Sequence, residues 1–266
     1  MGARRITRLV PPDRRVKGLG GARGRRLLQV RKLVAPILQV PITLRTATGL
    51  ELRITGDPVD EQIAQHVLGP HRDEYFPAHG GRIPAAPCIL DIGGHHGLYA
   101  AAALHEYPGS RIICVEPSAN ALPDLRANLK LNGFESRARV VNAALAAHSG
   151  KALLRHTAEG SWGASLYEDD AVTDSSEDVT LVPLDEVLRG DRPDILKCNA
   201  EGAEYSLFDQ LADSDLRPAF MVVMVHPEFG DLDRLEHQAE SMGYELSRHG
   251  PDHHPAFHMW KNRAPS

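Results

Sequence analysis

Residues 89–97, Ile89-Leu90-Asp91-Ile92-Gly93-Gly94-His95-His96-Gly97, set an acid, three glycines and two imidazoles in and behind a short apolar run. Glycines in such a turn permit positive φ and let the backbone approach a ligand closely. Parallel sheets bind nucleotide-like molecules at turns of this kind, off the carboxyl ends of their strands. A second acid, Glu116 in Val115-Glu116-Pro117, ends the next apolar run. An acid about 20 residues beyond the loop is placed to accept hydrogen bonds from ribose hydroxyls.

Two nucleotide-type cofactors compete for such a loop. A dinucleotide calls for G-x-G-x-x-G, which sets its pyrophosphate on a helix N-terminus. Here the spacing is G-x-x-x-G, Gly93 to Gly97, with Asp91 inside the strand. S-adenosylmethionine suits that pattern better, because a carboxylate can accept from the ammonium of its methionine end. His95 and His96 are read as filling the shape of the turn, since no third ligand type is close by in sequence. His253, His254 and His258 have no acid or cysteine at a recognisable spacing and read as loop surface. No metal is therefore expected.

These residues need a frame. Strands are predicted at Cys88–Ile92, Arg111–Val115, Arg139–Ala143, Ile195–Cys198 and Ala219–Val225, as short apolar runs between turn signals. Helices fall between them at Leu98–Glu106, Ala119–Asn132, Ala203–Leu211 and Asp231–Met242. That alternation predicts a mostly parallel sheet covered by helices on both faces. Residues 151–182 read as strand and loop where a strict repeat would place a helix. Glu245–Ser247 and Ala256–Trp260 form a candidate hairpin completing the sheet. Upstream, Ile42–Arg45 and Leu50–Ile54 alternate as a hairpin, and Asp57-Pro58 opens a helix to about Leu68. A further short helix is predicted over Arg25–Leu38. The expected organisation is a basic arm (1–24), a helix and hairpin element (25–86) and a main domain (87–262).

Composition is that of a globular protein, 42% hydrophobic and 24% charged. Aromatics at 5% argue against a stacking surface for single-stranded nucleic acid. The net charge of -5 hides an asymmetry: residues 1–32 hold eleven Lys/Arg and one acid, the remainder nineteen and thirty-four. A basic arm can meet an anionic partner, but its Gly, Pro and Arg content without an apolar face reads as a solvated extension. Cys88, Cys114 and Cys198 lie in predicted strands and read as reduced structural thiols. No run approaches a transmembrane span, and Arg31 and Lys32 break the apolar segment that a secretory leader would need. A cytoplasmic location is expected.

Several segments, taken in order, resemble the FkbM family of methyltransferases. They are Ile89–Tyr99, Val115-Glu116-Pro117, Leu125-x-x-Asn128-Leu129-Lys130-Leu131-Asn132-Gly133, Val141–Leu145, Pro183-Leu184-Asp185 and Leu196–Glu204. The resemblance runs from about residue 42 to 260. It implies a Rossmann-like class I methyltransferase fold with a seven-stranded sheet, S-adenosylmethionine as methyl donor, and O-methylation of a small molecule or glycan. By residue matching, Asp91, Gly93 and Gly97, with His96 in the same turn, frame the cofactor, Glu116 holds the ribose, and Asn142 with Ala143 meets the adenine. Two positions depart from the family pattern: Asn199 stands for the aspartate of Lys-x-Asp-x-Glu-Gly, and Met224 where an acid is common.

An alcohol acceptor needs a base within hydrogen-bond reach. His226, Glu201 and Glu204 flank the expected cleft, and an imidazole with an ordinary pKa near 6.5 suits that work. Lys197 is expected to pair with an acid, and Asn199 can orient a hydroxyl without taking its proton. Two rival readings remain, a degenerate member that binds cofactor without turnover and a nucleic-acid methyltransferase using the basic arm.

Overall fold

The chain enters through a hairpin, β1 (Ile42–Arg45) and β2 (Glu51–Ile54), whose alternate residues Leu44, Leu52 and Ile54 are buried. Residues 41–55, 57–69, 72–76, 83–157, 160–165, 172–249 and 257–262 are described by this computed structural model. The basic arm, the helix expected over Arg25–Leu38, and His253 and His254 lie outside them. Next come α1 (Pro58–Leu68) and α2 (Arg72–Tyr75). Asp57 caps α1, its side chain accepting from Val59 N at 2.9 Å, as the Asp-Pro start predicts.

The main sheet begins at β3 (Cys88–Ile92), followed by α3 (Leu98–Glu106), β4 (Arg111–Val115), α4 (Leu122–Leu131) and β5 (Ala138–Val141). Between β5 and the next strand of this sheet stands a separate four-stranded sheet. It comprises β6 (Ala144–Leu145), β7 (Gly150–Thr157), β8 (Gly160–Ser165) and β9 (Val172–Val182), in the order β6-β9-β7-β8. A short α5 (Leu184–Leu188) leads to β10 (Ile195–Cys198), α6 (Ala203–Ala212), β11 (Phe220–Met224), α7 (Leu232–Ser241), β12 (Tyr244–His249) and β13 (Phe257–Asn262). The seven-stranded order is β5-β4-β3-β10-β11-β13-β12, with β13 antiparallel to both its neighbours. Strand order reverses between β3 and β10, and a crevice opens outside their carboxyl ends.

Side chains alternate across the sheet. Ile89, Ile112, Ile195 and Val222 pack on the face covered by α3, α4 and the hairpin. Leu90, Ile92, Leu196 and Val223 pack on the face covered by α5, α6 and α7. By the same two-residue period Asp91 stands on the α3 face, opposite Lys197 in the β3–β10 register. All three cysteines are buried free thiols on strands, as expected.

Several boundaries differ from the sequence prediction, and one short helix was not expected. The third strand ends at Val141, because Asn142 turns away to donate its amide to Glu116 O (3.0 Å) and Pro117 O (2.8 Å). The helix expected from Ala119 starts at Leu122, with Pro123 in its first turn. At five residues, α5 is too short for a helical period to show in the sequence.

Two asparagines bind the hairpin to α4. Asn128 Oδ1 accepts from Arg53 N at 2.6 Å, and its Nδ2 donates to Arg53 O (3.1 Å) and His96 O (2.8 Å). One turn further, Asn132 Oδ1 accepts from Glu51 N at 2.9 Å and Nδ2 donates to Glu51 O at 2.7 Å. The two amides stand in for a neighbouring strand along the open edge of β2. Asn128→Ala should therefore destabilise the protein by about 1–3 kcal/mol, the cost of leaving buried backbone groups unpaired, as read from the urea midpoint; an unchanged midpoint would refute it.

Candidate active site

The loop after β3 is held from below. Lys197 Nζ sits 2.9 Å from Asp91 Oδ1 and donates to Gly93 O at 2.6 Å. Burial pushes the Asp91 carboxyl up, against the pull of the Lys197 ammonium. Gly93 has φ 78, and a Cβ there would fall 1.8 Å from the Asn199 carbonyl oxygen, so only glycine fits. Its N–H, like that of Gly94, donates to Val115 O, at 2.9 and 3.0 Å. The loop is thus tied to β4 on one side and β10 on the other.

Glu116 lies beside it, nearly buried. One carboxylate oxygen accepts from His95 N at 2.6 Å and the other from Ser118 N at 2.8 Å. Burial pushes its carboxyl up, and the two backbone bonds pull it back. A carboxylate offers about four acceptor positions, so capacity for a ligand's hydroxyls remains. His95, at φ 46, lies against His96 with ring centroids 3.7 Å apart and the rings tilted by 33°. Burial and the neighbouring His96 hold His95 down at about 4, so its ring is neutral at pH 7.

At the ends of β10 and β11 the second cluster forms. His226 Nε2 stands 3.2 Å from Glu201 Oε2, and Nδ1 stands 2.9 Å from Glu204 Oε1. Glu204, fully buried, also accepts from His226 N at 2.7 Å and Gly202 N at 2.9 Å, clamping the start of α6 to the end of β11. Burial pulls His226 down, but its bonds to both carboxylates outweigh that and lift it to about 10. The expectation of a neutral base with an ordinary pKa is corrected here: His226 holds its proton at neutral pH. Glu201 itself has φ 46, in the left-handed region that non-glycine residues adopt uncommonly.

These clusters face one cavity of about 460 Å³, within the range of small-molecule pockets (roughly 300–1,000 Å³). Pro117, Ala143, Ala144, Leu145 and Leu154 give it an apolar side next to Glu116. On the polar side, Asn199 Oδ1 is buried with no hydrogen-bond partner among the described residues. A model of the methyltransferase FkbM domain matches residues 91–246, more than half of the chain. The chain belongs to the FkbM methyltransferase family.

An FkbM methyltransferase from Methylobacillus flagellatus KT is similar in structure, with a TM-score of 0.50 at 16% identity over 72% of this chain and 48% of that one. The chain thus spans about half the length of that relative. The methyltransferase domain of METTL16 is similar at a TM-score of 0.50 and 12% identity, over 82% of this chain and 75% of that one. Both have the Rossmann-like methyltransferase fold of this chain. No curated protein sequence matches the chain.

Within this FkbM chain the sequence-derived residues divide. Gly93, His96, Glu116, Ala143, Lys197, Asn199, Glu201 and His226 line the cavity. Asp91, Gly97 and Asn142 are not among its lining residues. Asp91 is buried under the loop on Lys197, Gly97 packs against Leu125 at the start of α3, and Asn142 laces the turn after β4. Unforeseen wall residues come from α1 and the small sheet: Gln62, Ile63, His66 and His156. Nothing local marks them, because α1 carries only the apolar spacing of an ordinary core-facing helix.

The raised His226 pKa has a pH signature. A group lifted from 6.5 to about 10 contributes stability that is complete below 6.5 and lost as pH rises through 10. The destabilisation caused by His226→Asn should therefore be largest near pH 6 and shrink steadily towards pH 10 in parallel urea titrations. A penalty independent of pH would refute the paired imidazolium.

Proposed function

We propose that this chain is an S-adenosylmethionine-dependent methyltransferase acting on a hydroxyl of a small molecule or sugar. The observation that carries the reading is the nearly buried Glu116, with acceptor capacity to spare, between the glycine loop and an apolar slot at the strand-order switch. Glu116 would take the ribose hydroxyls, and Pro117, Ala143 and Leu145 would cover the adenine. The buried, unpartnered Asn199 Oδ1 offers an acceptor for the ammonium of the methionine end. Bound there, S-adenosylmethionine supplies a methyl group on a sulfonium sulfur.

The protein's own work is then to place a hydroxyl and remove its proton. His226, already protonated, serves to hold Glu201, and Glu201 is the carboxylate at the cavity that accepts the proton. Lys197 positions the loop through Asp91 and Gly93 O rather than touching the acceptor.

Isothermal titration with S-adenosylmethionine checks the cofactor, and absence of binding at millimolar concentration overturns the reading. Glu116→Ala should weaken that binding at least about tenfold, since each hydrogen bond to a charged acceptor contributes about 1.5–3 kcal/mol. Glu201→Gln should lower kcat by about 10²–10⁴-fold while leaving cofactor affinity unchanged, with methyl transfer to a panel of alcohols and sugars as the assay. Asn199 and Met224, standing where the family pattern has acids, favour a second reading, a cofactor binder without turnover. Tight cofactor binding with no methyl transfer to any acceptor would select it.

A further inference from the structure

The structure gathers a third cluster that the sequence separates. Asp57, His95 and His96 each present a donor atom within 4.8 Å of the other two. Asp57 Oδ2 is 4.0 Å from His95 Nε2. Behind His96, the fully buried Asp60 receives its Nδ1 at 2.7 Å and the Thr55 N–H at 2.6 Å. The sequence places no third ligand type near these histidines; the fold brings one, because the N-cap of α1 lies against the loop after β3.

We propose that Asp57, His95 and His96 form a binding site for a divalent first-row transition-metal ion at the wall of the cavity. Two imidazoles and one carboxylate select such ions over magnesium or calcium, which prefer oxygen ligands, and leave coordination positions open. Asp60 supplies the supporting shell that ligating histidines require: its carboxylate takes Nδ1–H of His96, which fixes the tautomer and leaves Nε2 as the donor. His95 adopts φ 46, and its ring lies beside that of His96 instead of on the opposite side of the chain. Metal–ligand bonds of about 2.0–2.2 Å draw donors to roughly 3–3.5 Å of one another, so the side chains close by about an ångström on binding. Both histidines line the cavity, so the open positions face it and can take an oxygen ligand from a bound molecule. The site is independent of methyl transfer and is tested without cofactor or acceptor.

The full chain, stripped with chelator, is titrated with Co²⁺ by calorimetry and visible absorption, and with Zn²⁺ by competition. One equivalent of saturable binding with a ligand-field spectrum is expected. Asp57→Asn keeps a good helix cap and removes the carboxylate, while His95→Asn keeps a residue that tolerates positive φ and removes the imidazole. Both should fold with the unaltered circular dichroism spectrum and lose affinity at least tenfold. Asp60→Asn should weaken binding by about 10–100-fold. Absence of one-equivalent binding, undiminished binding in Asp57→Asn or His95→Asn, or loss of binding instead on replacing His253 and His254 overturns the proposal.

Discussion

The site depends first on a buried ion pair across the strand-order switch. Asp91 and Lys197 face each other in register on β3 and β10, and the ammonium reaches past the carboxylate to the carbonyl of Gly93. Breaking such a buried pair by removing one partner costs about 3–5 kcal/mol, since it strands the other charge. The pair also decides the shape of the loop above it, because Gly93 and the Asn199 carbonyl can approach so closely only while both strand ends are held together. The acid that the loop motif places inside a strand thus holds the loop from beneath, outside the cavity lining.

Around that pair, four strand ends bring three kinds of group to one cavity. β4 ends in a carboxylate braced by backbone N–H groups, β10 and β11 end in a histidine held between two carboxylates, and the loop after β3 carries two adjacent, mutually tilted imidazoles. Each charge is oriented by something rigid: a turn, a helix start or a neighbouring strand. Little reorganisation is needed when a ligand arrives, which is the condition under which fixed charges act strongly on a reaction.

Much of this was legible from the residues. The strands β3, β4 and β10 agree with the sequence reading to the residue, because a continuous apolar run between turn residues has few alternatives in a covered sheet. Glu116 was legible for the same reason, as an acid at a strand end. The rest was set by contact between distant segments, of which only the pairing of Lys197 with an acid was expected and is found, on Asp91. The charge state of His226 is set by Glu201 and Glu204, which lie on another element. The nearness of Asp57 to His95 and His96 comes from a helix cap far upstream. Alternation with Ile89 places Asp91 on the face covered by α3, where it pairs with Lys197 beneath the loop.

The C-terminal strand has a consequence for how the chain reaches this state. β13 is the last strand among the described residues yet sits inside the sheet, between β11 and β12. As the chain emerges from the ribosome, the edge of β11 stays open until residues 257–262 are available, with Met221 and Val223 in the strand left unpaired. An open apolar edge invites pairing with another chain. Completion of this sheet therefore waits on β13, and a chain in which β13 has not yet paired keeps the apolar edge of β11 open.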